Sequence, residues 1–167
     1  MVTNLVFSSV TFSELFEGGL RDHLQAHYEE LNDKAFPLKP DWDKYFTLEN
    51  LGMLRCFACF NGSELVGYAI FLVSPNLHYS SSVWAMEDVY YLAPPYRKGL
   101  NGYKWLRFFL GEVEKSCDKV IMGTKLKLEI GSLLTRLGYK PFENLYTKLT
   151  NANTSANANA NQESIGE

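Results

Sequence analysis

The chain has 167 residues, is 46% hydrophobic and carries a net charge of −3. That is enough apolar material for one core, expected over residues 1–150, and it supplies no positive field of the kind that gathers nucleic-acid phosphates. No apolar run reaches the roughly 18 residues of a membrane span, and the N-terminus has neither a basic region nor a small-residue cleavage site, so a cytoplasmic protein is expected. Three cysteines, an odd number, argue against a disulfide framework.

In chain order, Leu5, Val6 and Phe7 begin a short strand. Thr11-x-x-Glu14 has the pattern of a capping box opening a helical region, which Gly18 and Gly19 interrupt. Leu20, Leu24, His27/Tyr28 and Leu31 then recur at helical spacing and predict a helix to about residue 32 with that stripe turned inward. A proline-bearing loop over 36–41 leads to a second helical piece over 42–50. Residues 54–60 and 64–74 are β-rich runs joined by Asn61-Gly62, a tight-hairpin signal, so the sheet begins antiparallel. Cys56 and Cys59 have metal or redox spacing, but on a strand positions three apart face opposite ways, and the two thiols are expected as buried, free and divergent.

The run Val83 to Leu92 is apolar and aromatic-rich and predicts a central strand, stopped by Pro94-Pro95. Arg97-Lys98-Gly99-Leu100-Asn101-Gly102 follows, and near Tyr103 an amphipathic helix begins, with Leu106, Phe109, Leu110 and Val113 on one stripe. Two glycines that let the backbone approach, a positive side chain and a helix N-terminus together suit a phosphate or pyrophosphate. The spacing is neither that of a nucleotide P-loop nor that of a dinucleotide fingerprint. Beyond the helix, 119–124 predicts a strand, 126–137 a short helix ended by Gly138, and 139–149 a closing strand or strands. Residues 151–167 alternate Asn and Ala and are expected to be a disordered polar tail.

The stretch from Asp88 through Arg97 and Gly99 to Gly102 resembles the acetyl-CoA-binding motif of the GNAT N-acyltransferase superfamily. The resemblance extends over roughly residues 5–149, takes in His27-Tyr28-Glu29-Glu30 and Leu137-Gly138-Tyr139, and is similar to the short GNAT proteins of phage genomes. The common loop is Arg/Gln-x-x-Gly-x-Gly/Ala. Here Leu100 stands where a glycine is usual, which implies a different loop path, while Arg97 and Gly102 match.

The resemblance implies an α/β fold, a mixed and mostly antiparallel sheet flanked by helices, and direct transfer of an acetyl group from acetyl-CoA to an amine, with no metal. It implies that Arg97, Lys98, Gly99, Leu100, Asn101, Gly102 and Tyr103 hold the CoA pyrophosphate. The backbone around Tyr90, Tyr91 and Leu92 would receive the pantetheine arm, their side chains serving equally well as core. Glu87 and Asp88 are adjacent acids on the central strand with side chains on opposite faces, so one of them can face the reaction and act as base, the other being a solvated or salt-bridged carboxylate. The tyrosine usual in the family before the Leu-Gly-Tyr element is replaced by Leu134, so Tyr139, Tyr146 or a water would protonate the thiolate. His27 and Glu30, and His78 and Tyr79 from the loop before the central strand, are acceptor-side candidates; the bland alternatives are a hydrogen-bonded structural histidine and surface residues. His23, His27 and Glu30 share a helix face at metal-ligand spacing, though nothing else in the chain completes a metal motif.

Two rival readings remain at this point. One is a GNAT-fold module that has lost turnover and grips a protein, favoured by Leu134 and Leu100. The other is a structural module whose exposed aromatics make a homodimer.

Overall fold

The computed structural model describes residues 4–31, 36–125 and 129–150. The chain divides into two compact units, residues 1–133 and 134–167. The expected polar tail lies outside the described residues, as do the predicted end of the first long helix at residue 32 and the first three residues of the predicted helix over 126–137.

The first unit opens with strand β1 (Leu5–Val10) and helix α1 (Phe12–Glu17). Thr11 and Glu14 form the predicted capping box. A second carboxylate also reaches this helix end: Glu49 accepts from the amides of Phe12 and Ser13 and from the Ser13 hydroxyl (2.6 Å). Negative charge is favoured there because the first-turn amides have no intrahelical acceptor. Glu49 belongs to α3 (Trp42–Asn50), so the same contact fixes α3 to α1. Between them, α2 (Leu20–Leu31) buries only Leu20 of its expected inward stripe.

Four further strands complete one sheet in the order β1-β2-β3-β4-β5: β2 (Leu54–Asn61), β3 (Glu64–Pro75), β4 (Val83–Leu92) and β5 (Lys119–Ile121). The first three ladders are antiparallel and β4 pairs with β5 in parallel. A parallel neighbour needs a crossover, supplied by α4 (Asn101–Glu114). One sheet face packs Cys56, Ala58, Tyr68, Ile70 and Tyr91 with Phe12, Leu15 and Leu20 of α1 and α2. On the other face, Phe57 and Phe71 meet Phe109 of α4. The free thiols of Cys56 and Cys59 are both buried, and burial pushes each up to about 12, which leaves them unreactive.

Three expectations are corrected. Helix α4 begins at Asn101, because Gly99 makes the turn in the left-handed region (φ +64°) and Leu100 already caps the helix. Helix α5 is only Gly131–Arg136; the Glu129 carboxylate accepts from the Gly131 amide at its start, and Gly138, at φ +93°, ends it. Residues 139–150 form no strand. Alternation becomes a strand only with a ladder partner, and Pro141 removes a donor from this run.

Strands β3 and β4 approach closely at Gly67. A methyl group there would sit 2.9 Å from the Tyr91 carbonyl oxygen, 3.0 Å from Leu92 Cδ1 and 3.2 Å from Cys59 Cβ. Because the first of these is backbone, Gly67→Ala should destabilise the protein by about 1–3 kcal/mol, read as a lowered melting temperature. An unchanged melting temperature would show that the ladder is looser than described.

Candidate functional site

The site is set by what happens to β4 halfway along its length. Its pairing with β5 ends at Met86, opposite Ile121. Among the described residues the ladder with β5 is not continued past Met86, while from Glu87 to Leu92 the pairing with β3 goes on, so alternate backbone groups on the outer edge of β4 point to the side from which β5 has parted. At the same level the β3–β4 register shifts: Ile70 faces Val89 and Phe71 faces Glu87, which leaves Asp88 as the extra residue of a β-bulge.

The two acids lie in different surroundings, as neighbours on a strand do. Glu87 shares its register position with Phe71, on the α4 face, and its carboxylate accepts from the Gly123 amide (3.0 Å) just beyond β5. Burial raises the Glu87 pKa, opposed by that amide. Asp88 turns to the opposite face, where it accepts a 2.6 Å hydrogen bond from the Tyr45 hydroxyl of α3. Tyr45 is held by stacking on Phe12 at 4.8 Å. Burial, with the Asp88 contact adding to it, pushes the Tyr45 pKa well up, so Tyr45 stays a proton-bearing donor.

Asp88 and Tyr45 border an open cavity of about 410 Å³. Its remaining walls are Leu24 and Tyr28 of α2, Val89 of β4 and the segment 36–40. The stripe of α2 is therefore only half-buried: Leu24 packs against the core and borders the cavity, and Tyr28 borders the cavity. The Tyr28 hydroxyl donates to the Phe36 carbonyl (2.7 Å) and fixes that wall to the helix.

Past β4, a 3-10 turn over Pro94–Tyr96 leads into the basic loop. Lys98, Gly99 and Leu100 are exposed. In α4 the first-turn amides of Gly102 and Tyr103 precede the first helical bond, Lys104 N to Leu100 O, and no side chain caps the helix. The positive end of α4 therefore lies at the carboxyl end of β4, where ligands of parallel β-α-β units bind.

Arg97 does not extend from this loop into solvent. Its Nη1 and Nη2 pair with Glu30 (2.5 and 2.7 Å), its Nε donates to the Leu92 carbonyl (2.5 Å), and the guanidinium lies 5.3 Å from the Tyr91 ring centre. The Arg97 bonds hold the Glu30 carboxylate below its ordinary pKa. His27, one turn earlier on α2, stacks on Tyr91 at 4.8 Å and places Nδ1 3.0 Å from the Tyr68 hydroxyl. Burial lowers its pKa and keeps the ring neutral near pH 7.

The predicted residues are thus brought together unevenly. The β4 edge leads in the chain into the loop, and Asp88 borders the cavity. His27 and Glu30 join the β4–loop corner and do not border that cavity. His78 is exposed and Tyr79 stacks on Trp84 (6.0 Å) near the start of β4, away from the bulge; neither borders the cavity. Tyr90 sits against Phe109 of α4, and burial pushes its pKa up to about 12. Tyr139 belongs to the second unit, where its amide donates to the Leu134 carbonyl. Sequence reasoning missed Tyr45 and the wall at 36–40. An aromatic at helical spacing reads as core, and a proline-bearing segment reads only as a connection.

No family model matches the sequence and no curated protein matches it. Solved structures do. An aminoglycoside acetyltransferase from an uncultured soil metagenomic sample, in complex with sisomicin, is 14% identical over 87% of this chain and 97% of its own, with a TM-score of 0.63. The ribosomal-protein-alanine N-acetyltransferase of Brucella melitensis biovar Abortus 2308 is 15% identical over 87% and 99%, with a TM-score of 0.62. The chain has the GNAT N-acyltransferase fold. A third GNAT structure, AAC(6')-Iy bound to a CoA–acetylneamine bisubstrate analogue, is 15% identical over 88% and 98%, with a TM-score of 0.61. Among the described residues of this chain no group of His, Cys, Asp and Glu is arranged to hold a metal, and no helix is long and apolar enough to cross a membrane.

The raised pKa of Glu87 has a measurable consequence. Folding makes its ionised form costlier, so the stability it contributes is present below the pKa of an unfolded glutamate, about 4.3, and is lost as pH rises through the folded value. Glu87→Gln keeps an acceptor for the Gly123 amide, and should melt above the wild type at about pH 8 and lose that advantage near pH 4. Equal melting temperatures across the range would show that burial does not govern this carboxylate.

Proposed function

We propose that the protein transfers the acetyl group of acetyl-CoA directly to a primary amine. The observation that carries this is the placement, on either side of one stretch of β4, of an unpaired backbone edge continuous with a basic helix-capping loop and of a cavity holding a carboxylate. The first suits a long polar arm ending in a diphosphate, and the second a cationic amine.

The amides of Gly102 and Tyr103 and the Lys98 ammonium would bind the diphosphate, with Gly99 giving the loop its turn. Arg97, tied to Glu30 and Leu92, contributes by holding the loop against α2 and the β4 terminus. The backbone edge from Tyr90 to Leu92 would receive the pantetheine arm through amide hydrogen bonds. Asp88 is the base in this scheme: it takes a proton from the ammonium, and the neutral amine attacks the thioester carbonyl carbon. As the new N–C bond forms, the C–S bond breaks, and the remaining proton of the tetrahedral nitrogen passes to the departing thiolate. Tyr45 orients Asp88 and keeps one of its oxygens satisfied. Glu87, held by Gly123 on the other face, has a positioning role at the divergence of β4 and β5.

Arg97 also supports a second reading. Its pairing with Glu30 neutralises the guanidinium, as expected of a GNAT-fold binding module without turnover that grips a protein partner. Acetyl-CoA binding with no product from any amine in a broad panel would select it.

Calorimetry should show acetyl-CoA binding between about 1 μM and 1 mM; no heat at millimolar ligand removes the transferase reading. Asp88→Asn should lower kcat by about 10²- to 10⁴-fold and leave acetyl-CoA affinity unchanged. An undiminished kcat places the base elsewhere.

A further inference from the structure

The cavity beside Asp88 differs in chemistry from a site for a polyhydroxylated polyamine. Among the described residues that line it, Asp88 is the single carboxylate, and Lys39 brings a like charge against any second ammonium. The two phenol hydroxyls that border it are already donors elsewhere, Tyr28 to the Phe36 carbonyl and Tyr45 to Asp88. A sugar hydroxyl buried here would lose water and find few partners, which costs about 1–3 kcal/mol for each group left unpaired. The rest of the wall is apolar, from Leu24, Pro37, Leu38 and Val89. Phe36 stands 62% exposed at the rim, a large apolar side chain that an apolar ligand would cover. A volume of about 410 Å³ lies at the small-molecule end of ligand sites, which run to about 1,000 Å³.

We infer that the acceptor is a small monoamine carried on an apolar body, aryl or alkyl, whose ammonium pairs with Asp88 while its body lies against Phe36, Pro37 and Leu38. This rests on the transferase reading and goes further by naming the acceptor class. The chemistry is the one already described, with the amine nitrogen forming the amide bond, the C–S bond breaking and one proton leaving to Asp88.

The test compares kcat/KM for 2-phenylethylamine and hexylamine with that for glucosamine, spermidine, sisomicin and a short peptide with a free N-terminus, at saturating acetyl-CoA. Both apolar monoamines should exceed every other acceptor by about tenfold or more, the scale on which unpaired polar groups and lost apolar contacts discriminate. Phe36→Ala, at an exposed position that does not threaten folding, should raise KM for 2-phenylethylamine several-fold with little change in kcat and none in acetyl-CoA affinity. Preference for an aminosugar, a polyamine or the peptide overturns the inference, as does an unchanged KM in Phe36→Ala. Ligand-observed NMR of 2-phenylethylamine with the protein alone separates the two levels. Binding that Asp88→Asn weakens, without acetylation, sustains the acceptor pocket and sinks the transferase, whereas acetylation of other amines with no binding of this one does the reverse.

Discussion

Strand β4 cannot satisfy both of its edges along its whole length, and the rest of the site follows from where it stops doing so. Up to Met86 it is paired on both sides; beyond it, among the described residues, the β5 ladder stops and the β3 ladder continues. The bulge at Asp88 falls at that divergence. An extra residue there increases local twist and breaks the alternation after Asp88, so that Asp88 and Val89 both border the cavity while Glu87 lies on the other face. At this one level of β4 the parting of β5, a carboxylate in a cavity and a carboxylate bonded to the residue beyond β5 fall together.

Around this point charge and hydrogen bonding add to the packing of half-buried helices, whose rings meet between α1 and α3. Glu49 fixes α3 to the start of α1, Tyr45 of α3 reaches Asp88, and Glu30 of α2 grips Arg97 of the loop. Neither α2 nor α3 buries more than one residue fully, so such contacts define where their inner faces stand. The Glu30–Arg97 pair is bidentate but partly exposed, and an ion pair of that kind adds little stability. Its weight is geometric, since Arg97 also binds the Leu92 carbonyl and therefore joins α2 to the end of the strand and to the loop.

Much of the fold was legible in local pattern. The capping box at Thr11 and Glu14, the run from Val83 to Leu92 and the stripe of α4 each follow from interactions within a few residues and stand where the pattern placed them, and the hairpin expected at Asn61-Gly62 turns one residue on, at Gly62-Ser63, with Asn61 paired to Glu64. The prediction failed at 139–149, where strand formation depends on a distant partner. The site was legible in part. Gly99 and Gly102 marked the loop through backbone requirements, but Arg97 read as a free cation, and Tyr45 carried no mark distinguishing it from core.

By itself the sequence determined the order of elements, the buried free cysteines and the basic loop between a strand and a helix, because period, turn chemistry and capping are local properties. Only the tertiary structure decided which of Glu87 and Asp88 meets the cavity, which partner holds Arg97, and what stands across from Tyr45. Those outcomes depend on a one-residue register shift and on contacts 43 and 67 residues apart in the chain. No spacing rule reaches that far, because such contacts form only when separate elements pack against the same sheet.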